Sequence, residues 1–395
     1  MLGAAAVGIS ALARVASADV DQVTTEDAQH AGSIIVFPKV IWDGTRDTII
    51  QIANTGNLLA FAHCFYVNGA TGQCDETDFD LVLTRQQPTQ WTASAGRGVN
   101  PNDGFQNPGS GFDPGLVPPV PLGFFGELKC VQVNEDGSPF RANQLKGEAI
   151  LRRSDGDVSE YNAIAFRGNP DTNSSDPRSS GDPNDLLLDL TPRTDSSGDD
   201  SGMYSACPDT LLFNHFTYGV EDPVLGSSSA PLGRCTNGNC PVTTELTLVP
   251  CQEDLENQAP GSVRVLFSVH NEFEENFSAS TGFSCFLNLQ LNQIAPAGTN
   301  AFTAGLLGTV TAYTRINPSS GQGGVIGVAE ESRCDIPDQP CNTTYLGNAT
   351  ASPVIPGSAN AAFNLHTEGN RFDAATDGNG TPLAGVTDHI VIPAP

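Results

Sequence analysis

The sequence predicts an all-β protein made of two disulfide-stapled β-sandwich domains joined by an acidic linker. Three observations support this fold class. Short runs that alternate apolar and polar residues recur along the chain, and no segment keeps a helical period. Turn-forming residues are frequent, with 41 glycines and 28 prolines among 395 residues. A tract rich in Asp, Ser, Pro and Gly also divides the chain into two halves.

The first sandwich domain is predicted at residues 33–168. Its strand-like runs are, in chain order, SIIVFPKVIW, DTIIQIANTGN, LLAFAHCFYVNG, DFDLVLT, QPTQW, FGELKCVQV, GEAILRR and YNAIAF. The Asp155-Gly156 step between two alternating runs predicts a hairpin. The Gly- and Pro-rich loop at about 97–122 is too long for a plain connector, so it is either a functional surface loop or poorly ordered.

The linker is predicted at residues 169–205, where only the run LLLDL has the composition to order, as a strand docked on a neighbour. The second sandwich domain is predicted at residues 206–395. Its clearest strand is SVRVLFSVHNEF, in which Val263, Val265 and Phe267 fall on one face. This period of two is typical of half-buried strands.

The N-terminus predicts an exported, soluble protein. Residues 1–18 form an apolar run that ends in Ala16-Ser17-Ala18, which fits a signal peptidase site, and a polar tail follows at 19–32. The alternative is a short buried or membrane-associated segment, since Arg14 interrupts the run and no basic residue precedes it. We expect no transmembrane segment, because no other stretch approaches the roughly 20 apolar residues that span a bilayer.

The charge excludes one class of partner. Asp and Glu outnumber Lys and Arg by 45 to 18, for a formal net charge of −27. Such a surface repels phosphate backbones and anionic membrane surfaces, so we expect no nucleic-acid partner. The only lysines are Lys39, Lys129 and Lys146.

The ten cysteines agree with export, since an even count in an exported chain indicates disulfides. Three pairs are close in sequence and bracket turn-forming residues, and we expect each to close a small loop: Cys64 with Cys74, Cys235 with Cys240, and Cys334 with Cys341. The pairing of the remaining four stays open: Cys130, Cys207, Cys251 and Cys285.

The strand and turn positions of the first half carry a resemblance. The succession SIIVFPKV, DTIIQIANTGN, CFYVNG, DFDLVLT and QPTQW resembles uncharacterised secreted bacterial proteins with Ig-like β-sandwich domains, mainly over residues 33–170. The resemblance implies an Ig-like fold and an export route. It carries over no catalytic residue.

Two groups of residues could form a catalytic or metal-binding site. His63 and Cys64 are adjacent, but neighbouring strand residues point to opposite faces, so a catalytic pair is disfavoured and a disulfide staple is expected. On a continuous strand His270, Glu272 and Glu274 would share one face and could bind a metal or pair a base with an acid. The alternative is a solvated turn, because Asn271 can end the strand.

Calcium is the one cofactor that the sequence suggests. Asp373, Asp377 and Asn379 belong to an acidic, Gly-containing loop that offers oxygen ligands, although Ala375 and Val386 stand where an EF-hand has acidic residues. Looser candidates are Asp155 with Asp157, and the Asp199-Asp200 pair. The alternative for each is a solvated turn.

The function expected from these features is a non-enzymatic secreted or cell-surface protein, structural or adhesive, with a surface or matrix partner. No nucleophile elbow, P-loop, dinucleotide fingerprint or HExxH zinc motif occurs. One alternative is a secreted hydrolase or carbohydrate-binding protein that uses acidic residues on a sandwich face, with Tyr66, Trp91 and the Phe124-Phe125 pair stacking on sugars. These aromatic residues fit a core equally well. A further alternative is self-assembly into a fibre or surface layer, either through an exposed strand edge or by addition of the polar segment at 19–32 to a neighbour's sheet.

Overall fold

We describe the protein from a computed structural model. It describes residues 30–70, 72–100, 112–154, 156–168, 185–190, 204–208, 210–218, 242–294, 300–320, 322–334, 358–368 and 388–393. Across these ranges the chain is almost entirely β-structure, as predicted. None of the helices within them has the length and apolar character to cross a membrane.

Strands β1 to β9 come from the first half of the chain: β1 (Ile34–Trp42), β2 (Arg46–Asn54), β3 (Ala60–Asn68), β4 (Asp75–Leu83), β5 (Pro88–Thr92), β6 (Phe124–Val133), β7 (Leu145–Arg153), β8 (Val158–Asn162) and β9 (Ile164–Phe166). Twelve strands follow: β10 (Asp185–Asp189), β11 (Thr210–Phe216), β12 (Val242–Pro250), β13 (Glu253–Asp254), β14 (Ser262–Asn271), β15 (Asn276–Ser284), β16 (Leu287–Gln290), β17 (Thr311–Pro318), β18 (Val325–Cys334), β19 (Ser358–Asn364), β20 (His366–Glu368) and β21 (His389–Pro393). A 3-10 turn (Leu291–Gln293) and a single-turn helix α1 (Ala304–Leu307) lie between β16 and β17.

The first nine strands form one sheet that closes over a core. Its main path is β4-β3-β6-β1-β2-β7-β8, with β5 paired to β2 and β9 paired to β1. The two parts of the sheet meet where β1 pairs with β2, at Trp42 and Asp47. Inward-facing residues of both parts, such as Phe37, Ile50 and Leu128, form one buried cluster. The alternation predicted from the sequence therefore produces a sandwich-like core.

Described strands of the second half form two sheets that face each other. One has five strands in the order β15-β14-β17-β11-β20, and the other has four in the order β16-β12-β18-β19. A second buried cluster lies between them and includes Val265 and Phe267, which the sequence places on the inner face of β14. The predicted face of this strand is confirmed.

A third cluster joins the two halves. The outer face of β1, β3 and β6 is apolar too, and its residues include Ile34, Phe65 and Val131. These side chains pack against residues of β10, β12, β18 and β21 from later in the chain. Because both faces of β1 are covered, it is buried along almost its whole length, which explains its nearly continuous apolar sequence.

Part of the predicted linker is a docked strand. The run at Asp185–Asp189 pairs antiparallel with β21, which in turn pairs parallel with the short β13. Leu186 and Leu188 are buried in the third cluster. The expectation that this run orders on a neighbour is confirmed, whereas the domain boundaries at 169–205 stay a prediction.

Three disulfides occur among the described residues, and they correct one predicted pairing. Cys64 is bonded to Cys130 and Cys74 to Cys285, so the expected Cys64–Cys74 loop is wrong. In the β3–β4 hairpin Cys64 lies opposite Phe79, five positions from Cys74. At about 3.4 Å per residue this is about 17 Å along the ladder, whereas a disulfide spans at most about 7 Å between Cα atoms.

The other cysteines divide into two groups. Cys207 is bonded to Cys251, and both belong to the four cysteines whose pairing the sequence left open. The other two of these four, Cys130 and Cys285, are bonded to Cys64 and Cys74 instead. Cys235, Cys240, Cys341 and the side chain of Cys334 lie outside the described part of the chain. Their two pairings remain predictions.

Candidate functional site

A buried charge cluster lies between the two halves, around Lys129. The Lys129 side chain on β6 is buried, and its Nζ lies 2.5 Å from Glu127 Oε1 on the same strand. It also contacts Glu253 Oε2 on β13, from the second half. Glu127 and Lys129 are two positions apart, so both project from the outer face of β6 into the third cluster. The group thus ties β13 to the first sheet.

Two carboxyl groups surround one ammonium group here, and this arrangement affects the protonation of Glu127. Burial, with the nearby Glu253 carboxylate, raises the pKa of Glu127 to about 8, although Lys129 acts in the opposite direction. Glu127 Oε2 is buried and has no hydrogen-bond partner among the described residues. A proton on Glu127 makes the cluster of Glu127, Lys129 and Glu253 neutral overall. A neutral cluster has a lower free-energy cost of burial than a charged one.

A second buried lysine, Lys39 on β1, makes a parallel connection. Its Nζ lies 2.6 Å from Glu245 Oε1 on β12 and 2.7 Å from Glu330 Oε2 on β18. Arg46 Nη1 lies 3.1 Å from the same Glu245 oxygen. Burial alone would raise the pKa of Glu245, but Lys39 and Arg46 together hold it below its usual range. The four groups join the first sheet to the four-stranded sheet.

A β-bulge aims Lys39 at this interface. Phe37 pairs with Leu128 and Val40 with Gly126, so β1 has one extra residue between them, next to Pro38. Phe37 and Val40 both face the first core, which leaves Lys39 on the opposite side. The Tyr161 hydroxyl completes the bulge, because it accepts a hydrogen bond from the Lys39 amide at 3.1 Å and donates one to the Lys39 carbonyl at 2.6 Å.

Sequence reasoning missed both lysine clusters, although a signal was present. The chain has only three lysines, and Lys39 and Lys129 interrupt the apolar runs IIVFPKVIW and FFGELKCVQV. A lysine inside a strand that is apolar on both faces needs buried acidic partners. The identity of these partners could not be predicted, because they lie at least 124 positions away in the chain, apart from Glu127.

An acidic patch borders the Lys129 cluster. Burial and the neighbouring carboxylates, Glu253 first, raise the pKa of Glu76 on β4 to about 8. Asp78, Glu256 and Asp254 contribute in the same direction. However, no three His, Cys, Asp or Glu side chains are grouped so as to hold a metal ion anywhere in the described residues.

The candidate residues His270, Glu272 and Glu274 do not lie together on one strand face. β14 ends at Asn271, whose side-chain oxygen accepts hydrogen bonds from the Phe273 and Glu275 amides and so organises the hairpin turn. Glu272 and Glu274 are exposed on this turn, and Glu272 accepts a hydrogen bond from Thr311 at 2.7 Å. The alternative of a solvated turn, in which Asn271 ends the strand, is therefore confirmed, and the shared strand face does not form.

Two further histidines, His63 and His215, have structural partners. Cys64 is inside the first core in its disulfide, whereas His63 faces outward and lies 3.0 Å from Asp80. The expected opposite orientation of these neighbours is confirmed. His215 is buried, with Nε2 2.8 Å from Thr314 Oγ1, and burial lowers its pKa to about 4. Its hydrogen-bond partners in the described residues are a hydroxyl and a backbone carbonyl, so no carboxylate orients this ring as in a catalytic triad.

The aromatic residues considered for sugar stacking are mostly core residues. Tyr66, Trp91 and Phe124 are at most 4% exposed and belong to the first cluster. The Trp91 indole N–H donates a hydrogen bond to the Tyr66 hydroxyl at 2.5 Å. Phe125 is partly exposed, and the Arg46 guanidinium lies over its ring at 5.4 Å from the centroid. The interpretation of these rings as core residues is therefore confirmed for Tyr66, Trp91 and Phe124.

The calcium candidates lie largely outside the described residues. This applies to Asp373, Asp377 and Asn379, and to Asp155 and the Asp199-Asp200 pair. Calcium binding there stays a prediction.

Comparison with known proteins does not assign a family. No family model matches the chain, and no curated protein matches it. A solved structure from Thermotoga maritima, protein 1070, aligns with 34% of this chain and 95% of its own at 8% identity and a TM-score of 0.23. The PBSX exported protein XepA aligns with 75% of this chain and 86% of its own at 8% identity and a TM-score of 0.18. A Pleurotus ostreatus lectin aligns with 94% of this chain and 87% of its own at 11% identity and a TM-score of 0.16. Similarity at this level carries no functional argument.

Proposed function

We propose that the protein is a non-enzymatic structural or adhesive component that is exported to the cell surface or the extracellular space. One observation carries the proposal. Two buried charge networks of the described residues, one around Lys39 and one around Lys129, connect the two halves. Ion pairs between the two halves favour one arrangement of the sheets. A fixed arrangement suits a scaffold that bears load or presents a binding surface.

Export is supported by the cysteine chemistry. The three disulfides, including Cys74–Cys285 across the two halves, persist in oxidising compartments and are rare in the cytosol. The apolar N-terminal run with its small-residue end supports the same route.

A scaffold role agrees better with the candidate residues than a hydrolase role does. Catalysis needs preorganised groups with tuned pKa values in a site that excludes water. Glu272 and Glu274 are exposed on a hairpin turn, and three of the four candidate sugar-stacking rings are in the core. The acidic surface instead suits contact with a surface or matrix partner, with calcium as the candidate cation at Asp373, Asp377 and Asn379.

The proposed location can be tested by labelling intact cells with a membrane-impermeant, amine-reactive biotin reagent. Lys146 is the exposed lysine, whereas Lys39 and Lys129 are buried. We expect labelling before lysis at Lys146 and at the N-terminal amine, and in a Lys146→Arg variant we expect the label, mapped by mass spectrometry, at the N-terminal amine alone. Labelling that appears only after lysis would contradict a surface location.

The non-enzymatic role can be tested by comparing two double variants in the producing cell. Glu272→Gln with Glu274→Gln should leave the phenotype of the wild type, because it changes only exposed turn carboxylates. Cys74→Ser with Cys285→Ser should weaken the phenotype, since it removes the disulfide between the halves. A turnover lost in the first variant, with folding unchanged, would favour an enzyme.

A further inference from the structure

Strand β15 has an unusual position at the edge of the five-stranded sheet. It pairs with β14 over nine residues, from Asn276 to Ser284, and no other described strand pairs with it. One row of its backbone N–H and C=O groups therefore faces away from the sheet. Such a row is a template for pairing with another strand.

The side chains of β15 lack the features that usually prevent an edge strand from pairing with another chain. Its sequence, NFSASTGFS, contains no ionisable residue and no proline, in a chain with 63 Asp, Glu, Lys and Arg residues (45 plus 18). The other nine-residue edge strand, β4, carries Asp75, Glu76, Asp78 and Asp80. In addition, the Val82 amide on β4 donates a hydrogen bond to the Pro114 carbonyl at 2.8 Å, so a loop covers part of that edge.

The seven-residue edge strand β19 also lacks ionisable residues, but it has a neighbour. Asn364 at its end exchanges hydrogen bonds with the Asn162 backbone on β8, at 3.1 and 2.8 Å. Among the described strands, β15 is therefore the long edge that has neither charge nor cover. Natural edge strands usually carry one of these devices.

The β15 sequence is nearly symmetric about Ser280. In an antiparallel pair of two copies centred there, Phe277 lies opposite Phe283, Ser278 opposite Gly282 and Ala279 opposite Thr281. Phe277, Ala279 and Phe283 are half-buried and lean on the second core, whereas Ser278 and Ser280 are exposed. The symmetric register thus keeps aromatic residues beside aromatic residues on the core side and small polar residues beside each other on the solvent side.

We infer that β15 is a self-association edge, at which two copies of this protein pair antiparallel about Ser280 and join their five-stranded sheets into one continuous sheet. The pairing is isologous, because each copy contributes the same strand, and it closes after two copies. It therefore yields a dimer and not the fibre considered from the sequence. The inference goes beyond the proposed function and is independent of it, since a dimer of this kind could form whatever the protein does.

The charge of the protein sets the conditions for this dimer. Two copies of net charge −27 repel each other, and the uncharged strand keeps that repulsion away from the contact itself. Dimerisation should therefore strengthen as salt screens the long-range repulsion. A single strand pair is a small interface, so we expect a reversible, concentration-dependent dimer.

The test uses charge on the two-fold axis and the full-length oxidised protein. Ser280→Lys and Ser280→Asp each place like charges opposite each other, and each variant alone should dimerise at least about tenfold more weakly than the wild type. An equimolar mixture of the two variants places Lys opposite Asp and should recover the dimer as a heterodimer. Sedimentation equilibrium over a concentration series gives the masses, and circular dichroism confirms that each variant is folded.

A matched control distinguishes an effect of charge at the β15 edge from an effect of charge added elsewhere on the protein. Thr77→Lys adds the same charge at an exposed position on the other long edge, β4, and should leave the dimer unchanged. The inference is overturned if the wild type is a monomer at all concentrations and salt levels. It is equally overturned if the dimer persists in Ser280→Lys and Ser280→Asp, or if their mixture stays monomeric. None of these outcomes bears on surface location, which the biotin labelling tests separately.

Discussion

Lys39 Nζ lies 2.6 Å from Glu245 Oε1, although the two residues are 206 positions apart in the chain. This contact, with Glu330 beside it, brings the bulge of β1 against β12 and β18. A buried ammonium with its carboxylates is costly to separate, since removal of one partner leaves the others buried without a counter-charge. The two halves are therefore coupled through charge as well as through apolar contact.

Lys39→Met should destabilise the protein by about 3–5 kcal/mol, because it leaves Glu245 and Glu330 short of a counter-charge in the interface. Urea unfolding followed by circular dichroism measures this free energy. Lys146→Met is the matched control at an exposed lysine and should change the stability by less than about 0.5 kcal/mol. Equal effects of the two variants would show that the buried cluster contributes nothing.

Tyr161→Phe should cost about 1–3 kcal/mol, because the backbone amide and carbonyl of Lys39 lose their partner inside the bulge. The same removal of a hydroxyl in Tyr313→Phe, at an exposed position, should have little effect. Thermal and urea unfolding of both variants provide the comparison. A stability of Tyr161→Phe equal to that of the wild type would mean that water replaces the hydroxyl.

The raised pKa of Glu127 predicts a loss of stability as the pH rises. Its folded-state pKa is about 8, against an ordinary value of 4.5, so between these values the folded protein binds more protons than the unfolded chain. The contribution is thus fully present below about pH 4.5 and is lost as the pH rises through about 8. Glu127→Gln removes the titrating group and should flatten this decline, by on the order of 5 kcal/mol, because one pKa unit corresponds to about 1.4 kcal/mol.

Unfolding free energies measured across this pH range test the prediction. Glu245→Gln is the comparison of opposite sign, because the pKa of Glu245 is lowered and its contribution is lost as the pH falls. The prediction fails if Glu127→Gln keeps the wild-type slope between about pH 5 and 8.

The Cys74–Cys285 disulfide should keep the halves together after cleavage. From its composition, we expect limited proteolysis to cut first in the tract at 169–205, outside the strand at Asp185–Asp189. Because Cys74 and Cys285 lie on either side of that tract, the two fragments should separate on a gel only after reduction. In Cys74→Ser with Cys285→Ser they should separate without reductant, and fragments that stay joined in that variant would contradict the assigned pairing.

The sequence by itself determined the class of the fold and the properties that depend on neighbouring positions. The period of two in SVRVLFSVHNEF predicts which side chains of β14 face the core, and the adjacency of His63 and Cys64 predicts their opposite orientations. Both follow from backbone geometry within one strand, which needs no knowledge of distant residues. The run LLLDL likewise has enough apolar residues to predict a docked strand.

Only the tertiary structure decided which distant residues meet. Cys64 was expected to bond its near neighbour Cys74, but strand register places Cys130 directly opposite it. The bulge at Pro38 turns Lys39 away from the first core and toward Glu245, a result of one extra residue in β1. His270 and Glu272 separate because β14 ends between them, at Asn271. Register, bulges and strand ends depend on packing between sheets, and local pattern carries no information about which strand of a sheet will lie beside another.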